Sequence, residues 1–297
     1  MPVAKVDKLV VRDGGEPLVD GLSFEAERGS VLGIVGANRA AVRSVIFALA
    51  GQLPWDAGRI DYSFPSPPLR GGQRMSISSF LGGLSLPPKL LVREALRLHG
   101  RSSADVSRTQ EVVDLLQLGP VLGRRCDQLT RPLLSRTRIA ICLARDEDLF
   151  VVDYLPPEIG EGYVTIARNY LASMTNLGRT VVVATDEPEG FCGRAVMIRG
   201  ASSFEVGEPE ALKRKLSGPG RVELTIRGLA LQAVEGVLVG LGSSWIYRDD
   251  DRMVISCADD RSVVERVVSE ITNNGGVIEG VKTTSAHLLD LTRADSR

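Results

Sequence analysis

The sequence predicts an α/β domain built on a largely parallel sheet, followed by a small α+β domain. Three observations lead there. Short runs that are apolar throughout, VLGIVG, FVV and VVVA, read as central strands covered on both faces. They alternate with stretches whose apolar residues recur at helical spacing, which is the order of βαβ units. Near LSGPGRVE, residues 216–223, glycine and proline mark a linker, and beyond it the order becomes β-α-β-β-α-β. That order is ferredoxin-like.

The elements follow in sequence. KVDKLVVRD alternates apolar and polar residues as a half-buried strand does, Gly14-Gly15 turns the chain, and LVDGLSFEAERG makes a second alternating strand. SVLGIVGA is a buried strand that leads into AAVRSVIFALAGQL, a helix that stops near Gly51. Two polar β segments, RIDYS and RMSISSF, precede the helices LLVREALRLHGR and VSRTQEVVDLLQLG. RPLLSRTRIAICLAR is predicted helical, LFVVDYL a buried strand, VTIARNYLASMTNLG a helix and TVVVATD another buried strand. Beyond the linker come RVELTI (strand), LALQAVEGVLVGL (helix), SSWIYRD and RMVISCA (strands), RSVVERVVSEITNNG (helix) and GVIEGVKTT (strand), with SAHLLDLTRA as a closing helix. The expected domains are residues 1–214 and 215–297.

Composition narrows the function classes. A formal net charge of −1 gives no global field that would draw the chain to nucleic acid, and no nucleic-acid partner is expected. No run of eighteen or more apolar residues is present, and the N-terminus lacks the apolar core of a signal peptide. The default location is therefore cytoplasmic. Cys126, Cys142, Cys192 and Cys257 show no C-x-x-C spacing, and two isolated histidines, His99 and His287, do not make a metal site.

Placed in order, the pieces resemble the ATPase subunits of ATP-binding-cassette (ABC) transporters. DGLSFEAERGSVLGIVGANRAAVRSVIFALAG resembles the family's strand, phosphate loop and first helix, and LARDEDLFVVDYLPPE its second nucleotide motif. LLVREALRLH resembles the entry to the helical subdomain, and VKTTSAHLLDLTR the end of the accessory domain on ABC-2-type exporter ATPases. The resemblance implies a P-loop NTPase-like ABC ATPase domain followed by a small α+β ferredoxin-like domain. It also implies work beside an integral membrane permease, as a homodimer or as a heterodimer with another ABC ATPase subunit.

The motif residues depart from the family pattern. A phosphate loop G-x-x-x-x-G-K-[ST] uses glycines to close backbone amides around phosphate, lysine to meet the β/γ-phosphates and a hydroxyl to hold Mg²⁺. Here Gly36 is present, but Ala41, Val42 and Arg43 replace the second glycine, the lysine and the hydroxyl, and Arg39 fills the middle of the loop. A register shifted by one residue makes Arg43-Ser44 imitate Lys-Ser, at the cost of the leading glycine. Asp153 matches the Mg²⁺-linked aspartate, either as a working residue or as an inherited strand-end polar group. Tyr154 replaces the glutamate that activates water. The signature L-S-G-G-Q corresponds to Leu129-Thr130-Arg131-Pro132-Leu133, and the switch histidine to Asp186. Gly82 falls at the glutamine-loop position and Asp13 at the adenine-stacking aromatic. Arg39 and Arg43 either bind an inorganic anion at the helix N-terminus or are solvated or paired with local carboxylates.

What remains is a vestigial set, Gly36, Asn38, Arg39, Arg43, Ser44 and Asp153, with no catalytic residue and no metal ligand. Positioning and charge stabilisation carry phosphoryl transfer. The expectation is therefore a degenerate subunit of a transporter complex that is scaffold or regulatory, with ATP and Mg²⁺ binding lost or very weak. A weak, unconventional ATPase powering an exporter and a soluble interaction protein that keeps the fold are the two alternatives.

Overall fold

The structure is a computed structural model that describes residues 2–63, 77–82, 85–99, 103–145, 147–217, 221–228, 244–249, 252–258, 261–284 and 288–292. The chain forms two compact units. The first comprises Met1–Pro209 together with Leu288–Arg297, and the second Glu210–His287.

In the first unit, β1 (Pro2–Asp13) and β2 (Glu16–Glu27) form a hairpin closed by Gly14 and Gly15. Both glycines have positive φ, 58° and 93°, as a tight turn matched to strand twist requires. With β4 (Ala57–Tyr62) they make a three-stranded antiparallel sheet in the order β2-β1-β4. The main sheet has six strands in the order β5-β6-β7-β3-β8-β9. Its parallel members are β3 (Val31–Gly36), β5 (Ile77–Phe80), β6 (Leu149–Val152), β7 (Thr180–Ala184) and β8 (Arg194–Gly200). Strand β9 (Ser203–Gly207) pairs antiparallel at the edge.

Two cores sandwich this sheet, which is why its strands are apolar without alternation. Phe150, Val152, Val181 and Val183 point into one core, and Leu149, Val151, Val182 and Ala184 into the other. The first core is filled from the helical side by α2 (Val92–His99), α3 (Ser103–Leu115), α4 (Arg131–Leu143) and α5 (Glu161–Met174). The second is filled by α1 (Arg39–Leu49) and the antiparallel sheet. Helix α6 (Pro209–Ser217) follows β9.

Among the described residues of the second unit, β10 (Arg221–Arg227), β11 (Ser244–Asp249), β12 (Arg252–Ala258) and β13 (Val277–Thr284) pair antiparallel in the order β11-β12-β10-β13. Helix α7 (Arg261–Asn273) packs Val267 and Ile271 against that sheet. The helix expected over residues 229–241 and the linker residues 218–220 lie outside the described residues.

Two differences from the sequence reading matter for function. The expected boundary at 214/215 falls inside α6, and the compact units divide at 209/210 instead. Of the expected closing helix the described residues form one turn, Leu288–Leu291, and this segment belongs to the first unit, not to the accessory domain. Leu288 is fully buried. A Leu288→Ala change in the full chain is expected to lower stability by roughly 2–3 kcal/mol, read as a drop in the urea midpoint of the first unit. An unchanged midpoint would show that the segment contributes nothing there.

Among the described residues no helix is long and apolar enough to cross a membrane.

Candidate nucleotide site

Three strands deliver the motif residues to one edge of the sheet. β3 ends at Gly36, β6 runs into Asp153 and Tyr154, and β7 into Thr185 and Asp186. Open α/β sheets bind ligands outside such carboxyl ends.

Only Ala37 and Asn38 separate β3 from α1. Asn38 caps the helix: its Oδ1 accepts from the N–H of Ala40 at 3.1 Å and of Ala41 at 3.2 Å. Its carbonyl accepts from the Val42 N–H at 3.1 Å. The Ala37 N–H donates to Thr292 Oγ1 at 2.8 Å. A phosphate cradle needs amides aimed at the ligand. Here the amides of Ala37, Ala40, Ala41 and Val42 all end on acceptors of the chain itself.

The motif positions face inward. Ala41 and Val42 are 1% and 0% exposed and pack in the core beneath α1. Gly36 is required by packing: a Cβ there would approach the Ile198 carbonyl oxygen at 2.9 Å and Val42 Cγ2 at 3.1 Å. Ser44 is buried, and its hydroxyl donates to the Ala41 carbonyl at 2.8 Å instead of facing the loop.

The two arginines pair with the two aspartates. Arg43 Nε lies 3.0 Å from Asp153 Oδ2, and Arg39 is ion-paired with Asp186. The Arg39 guanidinium also sits 4.2 Å over the Tyr154 ring. Two positive and two negative charges thus offset each other where a triphosphate would need net positive charge. Asp153 is buried, with its N–H on the Phe80 carbonyl at 2.7 Å, while Oδ1 has no partner among the described residues. Burial, and next the nearby Asp186 carboxylate, push the Tyr154 phenol up to about 12. It stays protonated at neutral pH and cannot act as a base.

The remaining positions are equally altered. Gly82 lies beside Asp153, since a Cβ built there would sit 3.6 Å from Oδ2. Thr130 is the N-cap of α4 but makes no side-chain capping bond, and Pro132 in the first turn has no N–H. Leu129 and Leu133 pack against the helical core. Asp13 is exposed at the end of β1. Beside Tyr154 and Asp186 lies a cleft of about 130 Å³, lined in part by an Arg168–Glu187 ion pair at 2.9 Å. Ligand pockets usually exceed about 300 Å³. Among the described residues no three His, Cys, Asp or Glu side chains converge as a metal site.

The structure therefore brings Gly36, Asn38, Arg39, Arg43, Ser44 and Asp153 to one strand edge and joins Tyr154 and Asp186 to them. It adds two residues the sequence did not point to. Thr292 closes on Ala37, and Glu189 Oε1 accepts from the Leu288 N–H at 3.0 Å. No local signal marks either one, because the contacts join residues more than ninety positions apart.

No protein-family model matches the chain. The chain is 26% identical over 225 residues to the Nod factor export ATP-binding protein I of Burkholderia lata, covering 71% of this chain and 73% of that protein. It is 22% identical over 276 residues to the linearmycin resistance ATP-binding protein LnrL of Bacillus subtilis, covering 87% of each. Among solved structures, it superposes on an ATP-binding subunit of an ABC transporter with a TM-score of 0.63 at 16% identity, covering 72% of this chain and 93% of that one. A nucleotide-free ATP-binding cassette from an ABC transporter superposes with a TM-score of 0.58 at 17% identity, covering 74% and 96%. The chain has the fold of the ATP-binding subunits of ABC transporters.

Proposed function

We propose that this chain is a non-hydrolysing subunit of an ABC-type exporter complex, with a scaffold or regulatory role. One observation carries the reading: four amides of its phosphate loop, those of Ala37, Ala40, Ala41 and Val42, and both of its arginines are already bound to its own acceptors, from Asn38, Thr292, Asp153 and Asp186. The likeness to two ATP-binding proteins named for Nod factor export and linearmycin resistance supports the exporter setting. The chain would sit in the cytoplasm on the inner face of the plasma membrane, held there by an integral membrane permease. It would pair with a second copy or with another ABC ATPase subunit. Both halves of a head-to-tail composite site, loop and signature, are altered in this chain, so neither site of such a pair would be complete.

The names of those relatives favour a second reading, a weak ATPase that relies on Arg43, Ser44 and Asp153. The two readings separate in a titration of purified protein with Mg²⁺-ATP. The non-hydrolysing reading expects neither turnover nor a dissociation constant in the low micromolar range. Turnover abolished by Asp153→Ala would establish the weak ATPase. Recovery from native membranes together with an integral membrane protein is the expected result for the complex, and recovery only from the soluble fraction would sink the transporter setting.

A further inference from the structure

The segment after the second unit returns to the first, and its route is specific. The Leu288 side chain is fully buried and its N–H is held by Glu189 Oε1 at 3.0 Å, just beyond β7. One helical turn later, Thr292 is 1% exposed and its hydroxyl makes two bonds. It donates to the Leu289 carbonyl at 2.6 Å and accepts from the Ala37 N–H at 2.8 Å. A hydroxyl has one proton. With that proton committed to Leu289, only lone pairs face the loop, and Thr292 Oγ1 presents to Ala37 what a phosphate oxygen would present.

We propose that this C-terminal segment is a built-in ligand of the vestigial phosphate loop, with Thr292 Oγ1 standing where an oxyanion would meet the first loop amide. The proposal deepens the non-hydrolysing reading and rests on it for its functional meaning. A nucleotide holds such a loop only at sufficient concentration. A tethered group is present at an effective concentration on the order of millimolar at all times. The loop is thereby kept in one conformation independently of the nucleotide pool. The amides of Ala40, Ala41 and Val42 end on Asn38, and Ala37 is the loop amide that the segment serves.

Hydrogen exchange on the full chain tests this. In Thr292→Val the Ala37 amide should exchange roughly fivefold faster or more, the change expected for loss of one hydrogen bond. Amides in the body of α1 and in β10–β13 should be unchanged, and Thr292→Ser should keep the slow rate. Equal exchange at Ala37 in wild type and Thr292→Val would overturn the proposal, as would a Thr292→Ser variant as fast as the valine form. Millimolar ATP added to wild type is expected to change neither the Ala37 amide nor the Leu288 amide. If ATP slowed loop exchange while speeding that of Leu288, the segment would be a displaceable ligand, which upholds the proposal, and the non-nucleotide reading would fail.

Discussion

Replacing Val42 by lysine should cost the protein roughly 3 kcal/mol and restore no ATP hydrolysis. By sequence this is the obvious repair, since Val42 occupies the lysine position of the phosphate loop. Tertiary packing opposes it. Val42 has no exposed surface, lies in the core beneath α1, and its Cγ2 is packed against the approach of Gly36 to β8. An ammonium there is buried without a partner, because Asp153 and Asp186 are already occupied by Arg43 and Arg39. Urea unfolding and a coupled phosphate-release assay read the two effects. Adding Tyr154→Glu should not rescue turnover, because it sets a third carboxylate beside Asp153 and Asp186 and leaves Leu129–Leu133 without the glycines and glutamine of the signature pattern. ATP hydrolysis by the double variant would show that the loop retains a working cradle.

Removing the Arg43 guanidinium should destabilise the protein by roughly 2 kcal/mol, below the 3–5 kcal/mol typical of a fully buried pair. The discount follows from exposure: Asp153 is buried, with 6% of its side chain accessible, but 50% of the Arg43 side chain meets solvent and water screens the pair. Arg43→Ala strands a carboxylate whose Oδ1 has no partner among the described residues. In an Asp153→Asn background the same change should cost less than about 0.5 kcal/mol, because the stranded charge is gone. Urea midpoints of the four proteins form the cycle. Additive costs would mean that the ion pair does not structure this edge. Loss of ATP turnover in Asp153→Asn, with stability retained, would instead assign the carboxylate to nucleotide chemistry. The Arg39–Asp186 pair is more exposed and should contribute less to stability.

The sheet was legible where burial on both faces forces a continuous apolar run, as in VLGIVG, LFVV and TVVVA, and where a tight turn demands Gly14-Gly15. Strands β8 and β9 and helix α6 were not assigned from sequence. AVMI is a short apolar run flanked by arginines, SFEVG is a brief edge strand, and PEALKRKLS carries only two leucines to mark a buried face. The identity of each site position was also local information: Val42, Tyr154, Asp186 and Pro132 each contradict the chemistry expected at their place. What the charged residues of the site pair with was not local. By sequence, Arg39 and Arg43 are open between an anion, solvent and neighbouring carboxylates. Only the meeting of the carboxyl ends of β3, β6 and β7 pairs them with Asp186 and Asp153. The same holds for Thr292. Its helical turn reads as the close of the accessory domain, yet Leu288 finds its burial in the first unit and brings the hydroxyl onto Ala37. Apolar periodicity reports that a face must be covered, and only the folded chain decides by which partner.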